Sequence, residues 1–224
     1  MAQDPNKRIR YLSGFITDTR KDLFERVLEY RTRYITVVLE DIYQSQNASA
    51  VLRSCECFGI QDVHIIENKN EYRVNPDVVM GASKWLNLYK YRGEEFNTMN
   101  AVAGLREKGY RIVATTTREG SVSLEEFDLR KGKTALFFGT ELTGLSDTMI
   151  KQADECLQIP MHGFTKSFNI SVSAAIILHH LTLTLHRSGE IPWQICEEER
   201  DEIMIEWLYK SIKHLRGKSP ENQL

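Results

Sequence analysis

The chain has 224 residues, 42% of them hydrophobic and 27% charged, a balance that fits a globular protein and excludes disordered, collagen-like and disulfide-scaffold chains. Lys and Arg number 29 against 31 Asp and Glu, a formal net charge of −2, so no molecule-wide positive field draws in a nucleic acid and any RNA site is local. No run approaches the roughly 20 apolar residues of a membrane span, and the polar start MAQDPNKRIRY lacks the apolar stretch of a secretory signal; the cytoplasm is the expected compartment.

Residues 1–33 read as a basic helical extension, with eight Lys and Arg against five Asp and Glu, and Leu23, Phe24, Val27 and Leu28 at the spacing of one amphipathic helix. From Tyr34 the pattern changes to short apolar runs, ITVVLE, DVHII, RIVATT and TALFFG, separated by the helical stretches ASAVLRSCECFG and AVAGLREKG. Continuous Val, Ile and Phe runs fit strands buried on both sides. Residues 34–188 are therefore predicted to form an α/β domain, a parallel sheet with helices on both faces. CLQIP and the apolar residues 170–185 supply its last βα unit, and that helix is expected to be buried. Residues 189–192 read as a linker opening a third region, 189–224, whose Ile203, Trp207, Leu208, Ile212 and Leu215 mark a C-terminal amphipathic helix. Its acidic start at Glu197, Glu198 and Glu199 and its basic end at Lys210, Lys213, Arg216 and Lys218 suit the helix dipole.

Cys55, Cys57, Cys156 and Cys196 form no Cys-x-x-Cys pair and have no His at zinc-finger spacing, so reduced and mostly buried thiols are expected. His179 and His180 are helix neighbours pointing about 100° apart, a poor pair of ligands, and no metal is expected.

Three stretches carry chemistry. Phe138-Gly139-Thr140-Glu141-Leu142-Thr143-Gly144-Leu145-Ser146 follows a strand, and a glycine loop at the C-terminal end of a parallel strand is where open α/β sheets bind ligands. It is no phosphate-binding P-loop. Leu145 stands where that loop needs Lys, and Glu141 puts negative charge in the cradle, which points instead to a cationic ligand. Asn47-Ala48-Ser49-Ala50-Val51-Leu52-Arg53 opens a helix, where Asn47 fits a cap and Arg53 fits an i,i+3 pair with Glu56. In the segment from Ile159-Pro160-Met161 to Ser167-Phe168-Asn169-Ile170-Ser171, the Ser and Asn residues again fit caps.

Taken in order, Asn-x-x-x-x-x-Arg, Gly-x-Glu-x-x-Gly, and Ile-Pro-Met-x-Gly followed by Ser-x-Asn-x-Ser, these stretches resemble the motifs of the SpoU branch of the SPOUT RNA methyltransferases. The match spans most of residues 34–187. The resemblance implies a SPOUT-type fold whose last βα segment forms a deep trefoil knot, S-adenosylmethionine as methyl donor, and a homodimer joined through the knot region. It assigns donor binding to Thr115, Gly139, Ile159, Met161, Ser167 and Phe168. Arg53 is marked as catalytic, with Asn47, Glu141 and Asn169 beside it. A guanidinium keeps its proton to beyond about pH 12, so phosphate binding next to the reacting ribose suits Arg53 better than action as a base. Short helical extensions at both ends are most similar to members that methylate the 2′-hydroxyl of guanosine 18 in the tRNA D-loop, and Arg8, Arg10, Arg31 and Arg33 would then contact tRNA phosphates. Neither DNA nor a membrane is implied as a partner. An rRNA or tRNA anticodon-loop methyltransferase of the same branch, and a non-catalytic RNA-binding knot protein, stay open at this point.

Overall fold

The computed structural model describes residues 4–73, 75–212 and 215. In chain order its main elements begin with helices Pro5–Ser13 (α1) and Asp18–Leu28 (α2), strand Ile35–Glu40 (β1), helix Ser45–Cys57 (α3), strand Asp62–Ile66 (β2), the short helix Pro76–Val79 (α4) and strand Asn87–Tyr91 (β3). Helix Asn97–Glu107 (α5), strands Arg111–Thr115 (β4), Val122–Ser123 (β5) and Thr134–Phe138 (β6), helix Asp147–Gln152 (α6), strand Glu155–Gln158 (β7) and helices Ile170–Arg187 (α7) and Glu197–Ser211 (α8) follow.

The chain divides into two compact units, Arg33–Trp193 on one side and Met1–Thr32 with Gln194–Leu224 on the other. In the larger unit the strands form one parallel sheet in the order β3-β2-β1-β6-β4-β7-β5. Successive side chains of a strand face opposite ways, and the core divides accordingly. Val37 and Leu39 pack with Leu52 of α3 and Ile177 and Leu181 of α7, while Val38 and Phe137 pack with Val102 and Leu105 of α5 and Met149 of α6. Every residue of β1, β2 and β6 is buried, as continuous apolar runs require of a sheet covered twice. The register sets Leu39 beside Phe138 and Thr115 beside Leu157, which brings the C-terminal ends of four strands to one edge.

Several elements depart from the sequence reading. The N-terminal region holds two helices instead of one, each started by a side-chain cap: Asp4 accepts from the Asn6 N–H and Thr17 from the Arg20 N–H. These two helices pack against α8 within a single unit, so α1, α2 and α8 are not independent extensions. Phe24 meets Trp207 edge to face at 5.5 Å between centroids. Lys213, Arg216 and Lys218 lie outside the described residues. β3 and β5 carry no strand signal in the sequence because NLYKY and VS are short and only partly apolar. Helix α7 is buried along one face only: Val172, Ile176 and Leu183 are 44%, 36% and 38% exposed. Of the four free cysteines Cys55 alone is buried; Cys57 and Cys196 are exposed. Among the described residues no helix is long and apolar enough to cross a membrane.

Candidate active site

At the C-terminal edge of the sheet the Thr115 hydroxyl donates to the Phe137 carbonyl oxygen at 2.7 Å, tying β4 to β6. The chain leaves β6 at Gly139, where a Cβ would lie 2.2 Å from both the carbonyl carbon of Gly144 and the nitrogen of Leu145. Only glycine fits there. Gly144 turns back at φ +71°, and Thr140 and Gly144 exchange N–H···O bonds of 3.1 and 3.0 Å that close the loop. Its far end is anchored from beneath by Glu40, a carboxylate 3% exposed at the end of β1. Glu40 accepts from the Ser146 N–H, the Ser146 hydroxyl and the Thr98 hydroxyl, each at 2.8 Å. Ser146 in turn caps α6 by accepting from the Met149 N–H at 3.1 Å.

Above this loop opens a cleft of about 350 Å3, lined by all six positions assigned to the donor: Thr115, Gly139, Ile159, Met161, Ser167 and Phe168. Phe138, Leu157 and Ile177 add apolar walls, and the size falls within the roughly 300–1,000 Å3 of small-molecule sites. Glu141 also lines it, so a polyphosphate is disfavoured and a ligand carrying positive charge is suited.

A relay of side chains joins the three motifs. The Asn169 side-chain amide nitrogen donates to the Glu141 carboxylate and, at 3.1 Å, to the Asn47 Oδ1. The Asn169 oxygen meanwhile caps α7, accepting from the Ser171 N–H at 2.8 Å. Asn47 itself is not the cap of α3. Gln44 holds that position, and the Asn47 amide donates to the Gln44 side chain at 2.9 Å. Its side chain therefore bridges the start of its own helix and the segment that carries Asn169.

Arg53 stands exposed on α3, outside the cleft lining, with no hydrogen bond or ion pair to Glu56 or any other described residue. The four arginines assigned to tRNA phosphates separate into two pairs. Arg10 is exposed and Arg8 half-buried, its guanidinium donating to the Tyr209 hydroxyl at 3.0 Å. Arg31 is 1% exposed with its guanidinium 5.2 Å above the Trp207 ring, and Arg33 pairs with Asp62 at 3.2 Å. Buried or paired in this way, Arg31 and Arg33 serve the fold rather than a phosphate. Residues missed in the sequence include Thr116, Thr117 and Lys166 of the cleft lining and the buried Glu40. The run of three threonines ending a strand, and a lone carboxylate ending the apolar ITVVLE, were the available signals.

A fully parallel α/β sheet with a glycine-loop cleft at its C-terminal edge defines a ligand-binding domain of the open-sheet class. Residues 34–179 match the SpoU rRNA methylase family model, and the chain belongs to that family. It is 46% identical over 214 residues to the tRNA (guanosine(18)-2'-O)-methyltransferase of Borreliella burgdorferi, covering 96% of this chain and 95% of that protein. The crystal structure of the Aquifex aeolicus TrmH/SpoU tRNA modifying enzyme matches with a TM-score of 0.76 and 27% identity, over 87% of this chain and 98% of that one. The SpoU methyltransferase AviRb from Streptomyces viridochromogenes, solved with AdoMet, shares the fold with a TM-score of 0.60 at 22% identity, over 73% of this chain and 65% of its own.

Proposed function

We propose that this protein methylates the 2′-hydroxyl of guanosine 18 in the D-loop of tRNA, with S-adenosylmethionine as donor. The observation that carries the reading is that the loop 139–145 and the segment 159–168 line one cleft, while Asn169 ties Glu141 of that lining to Asn47 of α3. The nearly full-length likeness to a tRNA (guanosine(18)-2'-O)-methyltransferase supports the substrate. Thr115, Gly139, Ile159, Met161, Ser167 and Phe168 would hold the donor, whose sulfonium supplies an electrophilic methyl group. Backbone approach at Gly139 and the apolar walls suit its adenosine, and the Glu141 carboxylate suits its positive charge.

The remaining work is alignment of the ribose hydroxyl with that methyl group. Asn169 and Asn47 fix Glu141 and the first turn of α3, and Arg53 contacts the RNA phosphate beside the target ribose, placing the hydroxyl by a two-pronged guanidinium contact. The knot is supported by the path of the chain: α7 follows β7, beyond β4, yet packs against α3 on the β1 side of the sheet. A homodimer through this region is supported by the open apolar stripe of α7.

Transfer of labelled methyl to an unmodified tRNA transcript, followed by nuclease mapping, tests the reading. Methylation at guanosine 18 is expected, with Arg53→Ala lowering kcat at least a hundredfold and Arg53→Lys failing to restore it. A methyl group mapped to another nucleotide or to rRNA would move the target. Donor binding without transfer to any RNA would overturn the enzymatic reading.

A further inference from the structure

A second cleft, of about 530 Å3, lies between the entry to α3 and the loop after β2. Tyr43 stands in its wall 79% exposed, and among the described residues its ring stacks on nothing and its hydroxyl bonds to nothing. Opposite lie Lys69 and Arg73; Arg73 is paired at 3.3 Å with Glu71, both side chains exposed, a contact weak enough to exchange for a phosphate. The walls are held in place. Asp41, at φ +60°, accepts from the N–H groups of Asn68, Lys69 and Asn70 at 3.1, 2.7 and 2.8 Å, and the Asn70 amide donates to the Asp41 carbonyl oxygen at 3.0 Å. The cleft is also linked to the donor site, because Gln44 in its wall accepts the bond from Asn47, which accepts from Asn169.

We propose that this cleft binds one unpaired nucleotide of the RNA substrate, adjacent to the methylated one. Tyr43 stacks on its base, Lys69 and Arg73 take its phosphate, and the Gln46 amide meets the base edge. An aromatic ring left in water beside two cations is the chemistry of unstacked RNA, whereas a small anion has no use for the ring and a polyphosphate is opposed by Glu71. The pre-set loop lowers the ordering cost of binding. This inference rests on the RNA methyl-transfer reading and adds a positioning site for its substrate.

The test compares the wild type with Tyr43→Ala, Tyr43→Phe and the double variant Lys69→Gln/Arg73→Gln. The readouts are KM and kcat on tRNA at saturating donor, donor affinity by calorimetry, and retention of labelled tRNA on filters without donor. Tyr43→Ala is expected to raise KM and weaken retention about tenfold, the scale of one lost base stack, with kcat and donor affinity held. Tyr43→Phe recovers most of the loss, and the double variant flattens the salt dependence of retention by about one to two contacts. Unchanged KM and retention in Tyr43→Ala, or an equal loss in Tyr43→Phe, would overturn the proposal. Wild-type protein that methylates no RNA would overturn the methyl-transfer reading instead, while filter retention still decides the cleft.

Discussion

At Gly139 the loop and the sheet come so close that a single methyl group would overlap the backbone of Gly144 and Leu145. Gly139→Ala therefore forces the loop away from β6, and the expected result is at least a tenfold loss of donor affinity in calorimetry together with a melting temperature lower by several degrees. Gly144→Ala strains the same loop through its φ of +71° but meets no neighbouring atom, so it is the milder change. Such positions are readable from sequence because a motif requires one residue type there. Arginines carry no such mark: Arg10 and Arg31 look alike in a basic stretch, yet Arg31 is buried with its guanidinium over Trp207. Asn47 shows the same difficulty in a helix start, where a capping residue and a residue reaching across to Asn169 have one signature.

Between elements, the seam of β2 and β3 holds the clearest pH dependence. His64 is 2% exposed, stacked at 4.8 Å on Tyr89, with its Nδ1 3.0 Å from the Tyr91 hydroxyl. Burial, with the Lys108 charge adding to it, lowers its pKa from the ordinary 6.5 to about 4. Since the folded value lies below the unfolded one, the unfolded chain takes up the proton first as pH falls. The stabilisation is complete above about pH 6.5 and is lost progressively toward pH 4. Denaturant titrations at pH 7 and pH 5 should show about 2 kcal/mol less stability at pH 5 from this group, a difference that His64→Gln removes. The central strands and α7 were legible from apolar runs, whereas NLYKY at the sheet edge has too little apolar content to announce a strand. Helix α7 reads as buried all round because its outer stripe of Val172, Ile176 and Leu183 is apolar too. A second copy of the chain is the proposed cover for that stripe, so Ile176→Glu should convert a dimer to a monomer in sedimentation, with the melting of the monomer fold retained. A monomeric wild type would remove the stripe's proposed role.

For the whole molecule, a net charge of −2 means that RNA attraction depends on where cations stand rather than on their number. The larger unit carries the cleft, the Asn47–Asn169–Glu141 relay and Arg53, while the unit of α1, α2 and α8 carries the exposed Arg10 and the half-buried Arg8. Composition could suggest a basic extension but not that α1 and α2 fold with α8 into one unit, because α1 has few apolar residues and its partner helix lies nearly two hundred residues away. That packing turns four nominally equivalent arginines into two experiments with opposite readouts. We propose that Arg8 and Arg10 contact tRNA phosphates: removing both should lower the slope of log affinity for tRNA against log salt by about one to two, with a small fall in melting temperature from the lost Arg8 bond to Tyr209. Removing Arg31 takes away the guanidinium on Trp207, and the expected result is a loss of about 2 kcal/mol of stability with the salt slope of the remaining folded protein unchanged. If Arg31→Ala flattens the slope as much as the Arg8/Arg10 pair does, the buried guanidinium is released on RNA binding and the assignment of Arg31 to the fold fails; if the pair leaves the slope untouched, the terminal unit is not a docking surface for tRNA.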